Sequence, residues 1–228
     1  TDSKIARFMW YIDPTDGTAV YSTGGHYYSN SIALVDRKTG KVLFGSIYQP
    51  PTGRQFIRLN GDVWVREEIV DRTQKRIIER RPIPSQSHGA PELLGCAYAP
   101  SEHYKEHPEL KTRLTQLFDE FTDPNLRRIY RMINARPASG SAALFCCDIA
   151  NGNRHFAILY FQKAWDLAVG ALYARDAGCI VESGDSISTL TGGDLERQIA
   201  RCDKETLINV GIFANKEVRK TVMSKMKS

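Results

Sequence analysis

Two short acidic runs constrain this chain more than anything else in it: Ile12-Asp13-Pro14-Thr15-Asp16-Gly17-Thr18 near the start and Trp165-Asp166-Leu167-Ala168-Val169-Gly170 far downstream. In the first run two carboxylates lie three residues apart on a segment that Pro14 stiffens and Gly17 bends. Their oxygens can therefore converge where straight strands could not bring them. Hard divalent cations such as magnesium take oxygen ligands in this way and can clamp a phosphate between two ions. Together the runs look like a divalent-metal site, and a fold that builds it must bring an early bend and a late segment to one point.

The competing reading of Asp16-Gly17 is an ordinary hairpin turn. A D-P-x-D-G-T string should arise by chance on the order of a few times in ten million start positions at average residue usage, which weighs against it.

With these residues the chain resembles the inositol monophosphatase superfamily, magnesium-dependent and lithium-sensitive phosphatases of sugar and nucleotide phosphates. The resemblance runs through W-x-I-D-P-x-D-G-T at Trp10 to Thr18, a Gly140-Ser141-Ala142-Ala143 turn, and W-D-x-A-x-G at Trp165 to Gly170. Asp176-Ala177-Gly178-Cys179 stands where the family usually has Glu-Ala-Gly-Gly. The fold this implies is α/β, a layered α/β/α/β/α sandwich of the inositol monophosphatase and sugar phosphatase type. Its first layer is α+β and its N-terminal part is incomplete here. The implied activity is magnesium-dependent phosphomonoester hydrolysis of a small soluble phosphate, inositol monophosphate-like or a related sugar or nucleotide phosphate, with two or three Mg2+ ions as cofactors. A 3'-phosphoadenosine-5'-phosphate-type nucleotidase is one alternative. A weakened or non-catalytic member acting in binding, regulation or assembly is another, and the resemblance allows a homodimer.

Carried over residue by residue, the family pattern makes Asp13 the carboxylate that bridges two ions, with Asp16 and Asp166 holding the one nearer the leaving group. The Thr15 carbonyl would bind the nucleophile-side ion, and the Thr18 hydroxyl would orient the attacking water. Backbone amides at Gly17 and Thr18, opening a helix, would receive the phosphate. Gly140, Ser141 and Ala142, also at a helix start, would contact the organic part of the substrate. Trp165 reads as packing that wedges the Asp166 helix in place.

The pattern also breaks. A Glu-Glu pair precedes the signature in the family and supplies a metal ligand, and an earlier Asp pairs with the signature threonine. Only Thr1 to Met9 precede Trp10 here, with Asp2 the nearest carboxylate. The family's N-terminal helices are missing as well, so the expectation is a fragment, a processed product or a short form with little activity alone. Leu159 takes the place of a Glu that hydrogen-bonds a substrate hydroxyl in inositol-type members, while Arg154 and His155 nearby suit a more anionic substrate.

The formal charge of +5 and pI near 8.9 invite a nucleic-acid partner. The distribution argues against one, because acidic residues are mixed into the cluster from Arg72 to Arg81 and no binding motif surrounds it or the group Arg127, Arg128 and Arg131. No apolar stretch approaches the length of a spanning helix, and the opening residues Thr1-Asp2-Ser3-Lys4 lack the basic and apolar regions expected of a signal peptide. The five cysteines are odd in number and form no C-x-x-C pair. They read as reduced, buried thiols in a cytoplasmic protein.

Strand patterns run over Ser31–Val35, Val42–Tyr48, Gln55–Leu59 and Val63–Val65, with turns between them and a charged, exposed extension after them. That is an antiparallel sheet. Pro82, Pro84 and the residues to Pro91 form a linker, which divides the chain into an antiparallel-sheet layer over 1–84 and an α/β layer over 85–228. In the second part strands over 93–99, 129–135, 156–160, 179–182 and 207–213 alternate with helices over 109–121, 141–150 and 163–177 and a closing helix from Asn215.

His103-Tyr104-Lys105-Glu106-His107 matches the H-x-x-E-H spacing of zinc peptidases, but Pro108 follows at once and no third ligand stands out. No Ser-His-Asp ordering and no G-x-S-x-G elbow occurs.

Overall fold

A computed structural model describes residues 6–71, 74–86, 93, 95–98, 103, 105–109, 112, 140–184, 194–203 and 206–226. The first sheet has six strands in simple sequence order: β1 (Phe8–Asp16), β2 (Ser29–Asp36), β3 (Lys41–Gln49), β4 (Arg54–Leu59), β5 (Asp62–Asp71) and β6 (Gln74–Arg80). Every neighbouring pair is antiparallel. Turn residues between short β-branched and aromatic runs produce this meander, since a tight turn can only return a strand antiparallel to itself. The charged, exposed stretch after Val65 is a hairpin, formed by the continuation of β5 and its return in β6.

Alternation along the strands gives the sheet two faces. Tyr11, Ala33, Val35, Ile47, Phe56, Val63 and Val65 point inward and are buried, while Phe8, Trp10 and Ile12 point to the other face and are about half exposed. Against the inner face lie α2 (Ala142–Ala150), α3 (Ala164–Leu167), α4 (Gly170–Asp176) and α5 (Leu195–Arg201), which follow the five-residue α1 (Thr18–Ser22). The helix expected over 163–177 is divided into α3 and α4, because the chain loosens at Val169, whose φ of −100° departs from helical values. α5 was not anticipated from the sequence.

A second sheet, in the order β7-β8-β10-β9, closes the other side of this helical layer. β7 (Gly95–Tyr98) runs parallel to β8 (Phe156–Lys163), whereas β10 (Leu207–Phe213) is antiparallel to both β8 and β9 (Ile180–Gly184). Its far face packs Phe156, Ile158, Tyr160 and Phe213 on Val218 and Val222 of α6 (Lys216–Lys225), forming a smaller core. Most of the helix expected over 109–121 and all of the strand over 129–135 lie outside the described residues, as do Arg127, Arg128 and Arg131. No described helix is long and apolar enough to cross a membrane.

One buried charge ties the first sheet to the helices. Arg58, on the inner face of β4, donates to Asp176 Oδ2 at 2.6 Å, to Glu196 Oε1 at 3.4 Å and to the Val42 carbonyl. Arg175 bridges the same two carboxylates. A guanidinium this buried is tolerated because two carboxylates and a carbonyl meet its fork. All five cysteines are free and buried, in line with small apolar packing.

Gly170 sets the spacing between α2 and α4. A Cβ on it would lie 2.9 Å from both the Cα and the carbonyl oxygen of Ala143, so the two backbones touch where only hydrogen fits. Gly170→Ala is expected to cost about 1–3 kcal/mol through overpacking. For a chain of this size that lowers the melting midpoint by roughly 2–4 °C per kcal/mol. An unchanged midpoint in calorimetry would show that the helices separate freely and that the contact is not limiting.

Candidate metal centre

A strand should place residues three apart on opposite faces, yet Asp13 and Asp16 share one. The pairing of β1 with β2 explains this: Asp13 stands opposite Ser31 and Asp16 opposite Ser29, so three steps on β1 are matched by two on β2. The extra residue is a β-bulge, and it turns Asp16 back onto the inner face that already carries Tyr11 and Asp13. Inside the bulge the Thr15 amide donates to Asp13 Oδ1 at 2.9 Å and Asn30 donates to the Pro14 carbonyl.

Asp16 is buried and bound by the start of α2. Its carboxylate accepts from Ser141 Oγ at 2.5 Å, from the Ala143 amide at 2.9 Å and from the Ala142 amide at 3.2 Å. The single Ser141 proton is thereby used, so the 2.8 Å contact between Ser29 and Ser141 has Ser29 as donor, and the Leu144 amide caps α2 on the same oxygen. A negative charge at a helix N-terminus is well placed with respect to free amides and dipole alike.

Asp166 arrives from the second layer. It lies in the first turn of α3, where its Oδ2 accepts from the Lys163 amide at 3.1 Å. Ser31 donates to the Trp165 carbonyl at 3.3 Å, and Trp165 packs against the core, as expected for a wedge. Asp13, Asp16 and Asp166 each offer one oxygen, all within 4.8 Å of one another.

The remaining expected positions fall around this trio. Gly17 has φ +88° and precedes α1, and a Cβ on it would lie 3.0 Å from the Ser141 amide nitrogen, so glycine lets the α2 loop close on the bend. The Thr18 hydroxyl donates to the Thr15 carbonyl at 2.8 Å and keeps its own lone pairs for a further donor. Ser141 and Ala142 are buried and donate to Asp16, and Gly140 of that turn is partly exposed. Leu159 is fully buried. Arg154 faces inward to Asp148 at 3.1 Å, with its guanidinium over the rings of Phe145 and Tyr27, which removes it from the anion-binding role its sequence position suggested.

Ser29 and Ser31 were missed. The signal was present: two serines at core-facing positions of an apolar strand, directly opposite the two aspartates, have to be hydrogen-bonded to something. His103 and His107 stack on Phe161, with ring centroids 4.3 and 5.3 Å apart, and among the described residues they join no metal-binding group.

Like charges at this spacing oppose ionisation. Burial, with the Asp13 charge adding to it, raises Asp16 to about 6 despite the donors from Ser141, Ala143 and Ala142. Asp166 is pushed further up, by burial first and then by Asp16 and Asp13. Oxygen is the only donor type in the trio, which suits a hard cation such as magnesium better than zinc or copper. A bound cation would also offset the burial and the repulsion that together lift the two pKa values.

Comparison with known proteins decides the relationship. The profile of the inositol monophosphatase family matches residues 2–205. The chain belongs to the inositol monophosphatase family. It is 31% identical over 175 residues to Nus factor SuhB of Xylella fastidiosa, covering 75% of this chain and 54% of that protein. It is 31% identical over 97 residues to the 3'(2'),5'-bisphosphate nucleotidase CysQ of Escherichia coli, covering 41% of this chain and 38% of that one. The chain thus spans about half the length of that SuhB. In fold it is similar to the extragenic suppressor protein SuhB of Bartonella henselae, with a TM-score of 0.68 at 20% identity over 97% of this chain and 70% of that one. The match confirms the two-sheet α/β architecture of the family.

The raised pKa values carry a prediction with a definite sign. A carboxyl whose folded pKa lies above its unfolded value of 3.8 keeps a proton that the unfolded chain releases. The stability that these two carboxyls contribute without metal is therefore fully present below about pH 4 and is lost as pH rises through the folded values. A cation requires the ionised carboxylates. Magnesium is thus expected to raise the melting midpoint more at about pH 8 than at about pH 5. An equal or larger shift at the lower pH would exclude these carboxylates as the ligands.

Proposed function

We propose that the chain carries the centre of a magnesium-dependent phosphomonoesterase acting on a small soluble phosphate ester. The observation behind this is the meeting of Asp13, Asp16 and Asp166 from two separate layers, in a family of phosphatases. Phosphate monoesters resist hydrolysis because an anionic ester must be attacked by a poor nucleophile, so charge neutralisation and an activated water are what an enzyme has to supply. Bound at the trio, magnesium would supply both.

The chain's own residues do the holding and the aiming. Asp13 would serve as the carboxylate shared between ions, and Asp16 and Asp166 would hold the ion nearer the leaving group. The Thr15 carbonyl has a second lone pair beyond the one that Thr18 uses, with which it would bind the nucleophile-side ion. The Thr18 hydroxyl, fixed by its bond to Thr15, accepts from the attacking water and sets its direction. Amides of Gly17 and Thr18 receive the phosphate, chiefly through hydrogen bonds, since a five-residue helix adds little dipole.

A second reading has support in the relatives named Nus factor SuhB. In that reading the same centre holds a cation as a structural element of an assembly protein.

Phosphate release from inositol monophosphate, sugar phosphates and a 3',5'-bisphosphate nucleotide, with and without magnesium, separates the two. The phosphatase reading expects turnover that falls about a hundredfold or more in Asp13→Asn and in Asp166→Asn. Asp166→Asn should at the same time melt no lower than wild type in the absence of metal, because it removes a repelling carboxylate. Magnesium-dependent stabilisation without release of phosphate from any of these esters would favour the assembly reading.

A further inference from the structure

The first sheet ends in an unpaired edge. β6 is bonded to β5 on one side and closes the strand order on the other, so a row of its backbone groups meets no strand among the described residues. Proteins usually blunt such an edge with a proline, a bulge or a very short strand. β6 has seven residues, Gln-Lys-Arg-Ile-Ile-Glu-Arg, with no proline, and its register with β5 is unbroken from Asp71–Gln74 to Val65–Arg80. Ile69, Ile77 and Ile78 of this hairpin are 43, 50 and 42% exposed.

Charge would normally protect the edge, but here the charges are self-complementary. Placed antiparallel to a copy of itself about a two-fold axis through Ile77, β6 sets Lys75 opposite Glu79 of the second copy and Glu79 opposite its Lys75. The two Ile77 side chains meet on the axis. On the same face Glu79 already lies 4.0 Å from Arg66, and Lys75 lies 2.7 Å from Glu68, so acids and bases alternate across β5, β6 and the axis. Cross-strand pairs of opposite charge and of β-branched residues are the units that stabilise sheets, and an isologous contact needs this self-complementarity.

We propose that β6 is a self-association edge: two copies join antiparallel, in register on Ile77, and extend the first sheet across the two-fold axis. The contact leaves the carboxylate trio untouched and does not depend on the phosphatase reading.

The register makes the test specific. Directly paired residues across antiparallel strands have Cα atoms about 4.5–5.5 Å apart, within disulfide range. Ile77→Cys is therefore expected to form a covalent dimer in a glutathione redox buffer, and Lys75→Cys, which faces Glu79 of the other copy, is not. The native cysteines are all buried, so the introduced thiol is the accessible one. In sedimentation velocity, Lys75→Glu and Glu79→Lys should each weaken the dimer roughly tenfold or more. The double exchange should bring it back to within about threefold of wild type, which also shows that the altered hairpin folds. A monomer at high micromolar concentration overturns the proposal. So does a dimer that Ile77→Cys fails to cross-link, as association through the apolar face at Phe8, Trp10 and Ile12 would give, or a double exchange that restores nothing.

Discussion

The carboxylate of Asp16 accepts from Ser141 Oγ and from the amides of Ala142 and Ala143, and through it the bend in β1 is fastened to the first turn of α2. Much else follows from this clamp. It fixes the height of α2 against the first sheet, and α2 in turn contacts α4 at Gly170. Ser29 ties the same serine back to β2, and Ser31 ties β2 to the carbonyl of Trp165, one residue before Asp166. The distance between the two acidic runs is thus set by a short chain of buried hydrogen bonds through neighbouring serines. A partly satisfied version of such a network would be costly, which is why each member has its partner.

The clamp also divides labour among three residues of the same type. Asp16 has its charge held by neutral donors of the protein and is buried, so its first task is architectural. Asp13 and Asp166 each accept one backbone amide and stay partly exposed, with oxygens left over for a ligand. A ligand cation therefore meets one carboxylate already committed to the fold and two that are less so. Replacing Asp16 confounds folding with binding, whereas replacing Asp13 or Asp166 does not.

Much of this was legible in the sequence. The antiparallel first sheet, the alternation beyond it and the three aspartates follow from period-two patterning and from motif residues whose chemistry is specific. What escaped detection depended on register. No periodicity shows that Pro14 and Thr15 form a bulge that returns Asp16 to the face of Asp13; the first run reads equally as a free turn. The bond from Ser141 to Asp16 was hidden for the same reason, since a helix start looks alike in sequence whether or not its donors meet a buried carboxylate. Helix α5 carries Glu196 into the Arg58 network, and its short amphipathic run gives little local signal. The basic cluster after Val65 reads as a solvated face, and much of it does bind acids of the same hairpin, but the length and regularity of β6 emerge only from its pairing with β5.

Two buried charge clusters, each joining the first sheet to the helices, solve opposite electrostatic problems. At Arg58 a buried cation is neutralised by two carboxylates and the charges close on themselves, so the site is finished by folding. At Asp13, Asp16 and Asp166 like charges are brought together with backbone amides and one hydroxyl to offset them, and the raised pKa values measure what remains unbalanced. Folding alone does not relieve that imbalance at neutral pH; a proton or a hard cation does. An arrangement that a bound cation would relieve suits a binding centre, since a purely structural role would be served better by a neutral, hydrogen-bonded side chain.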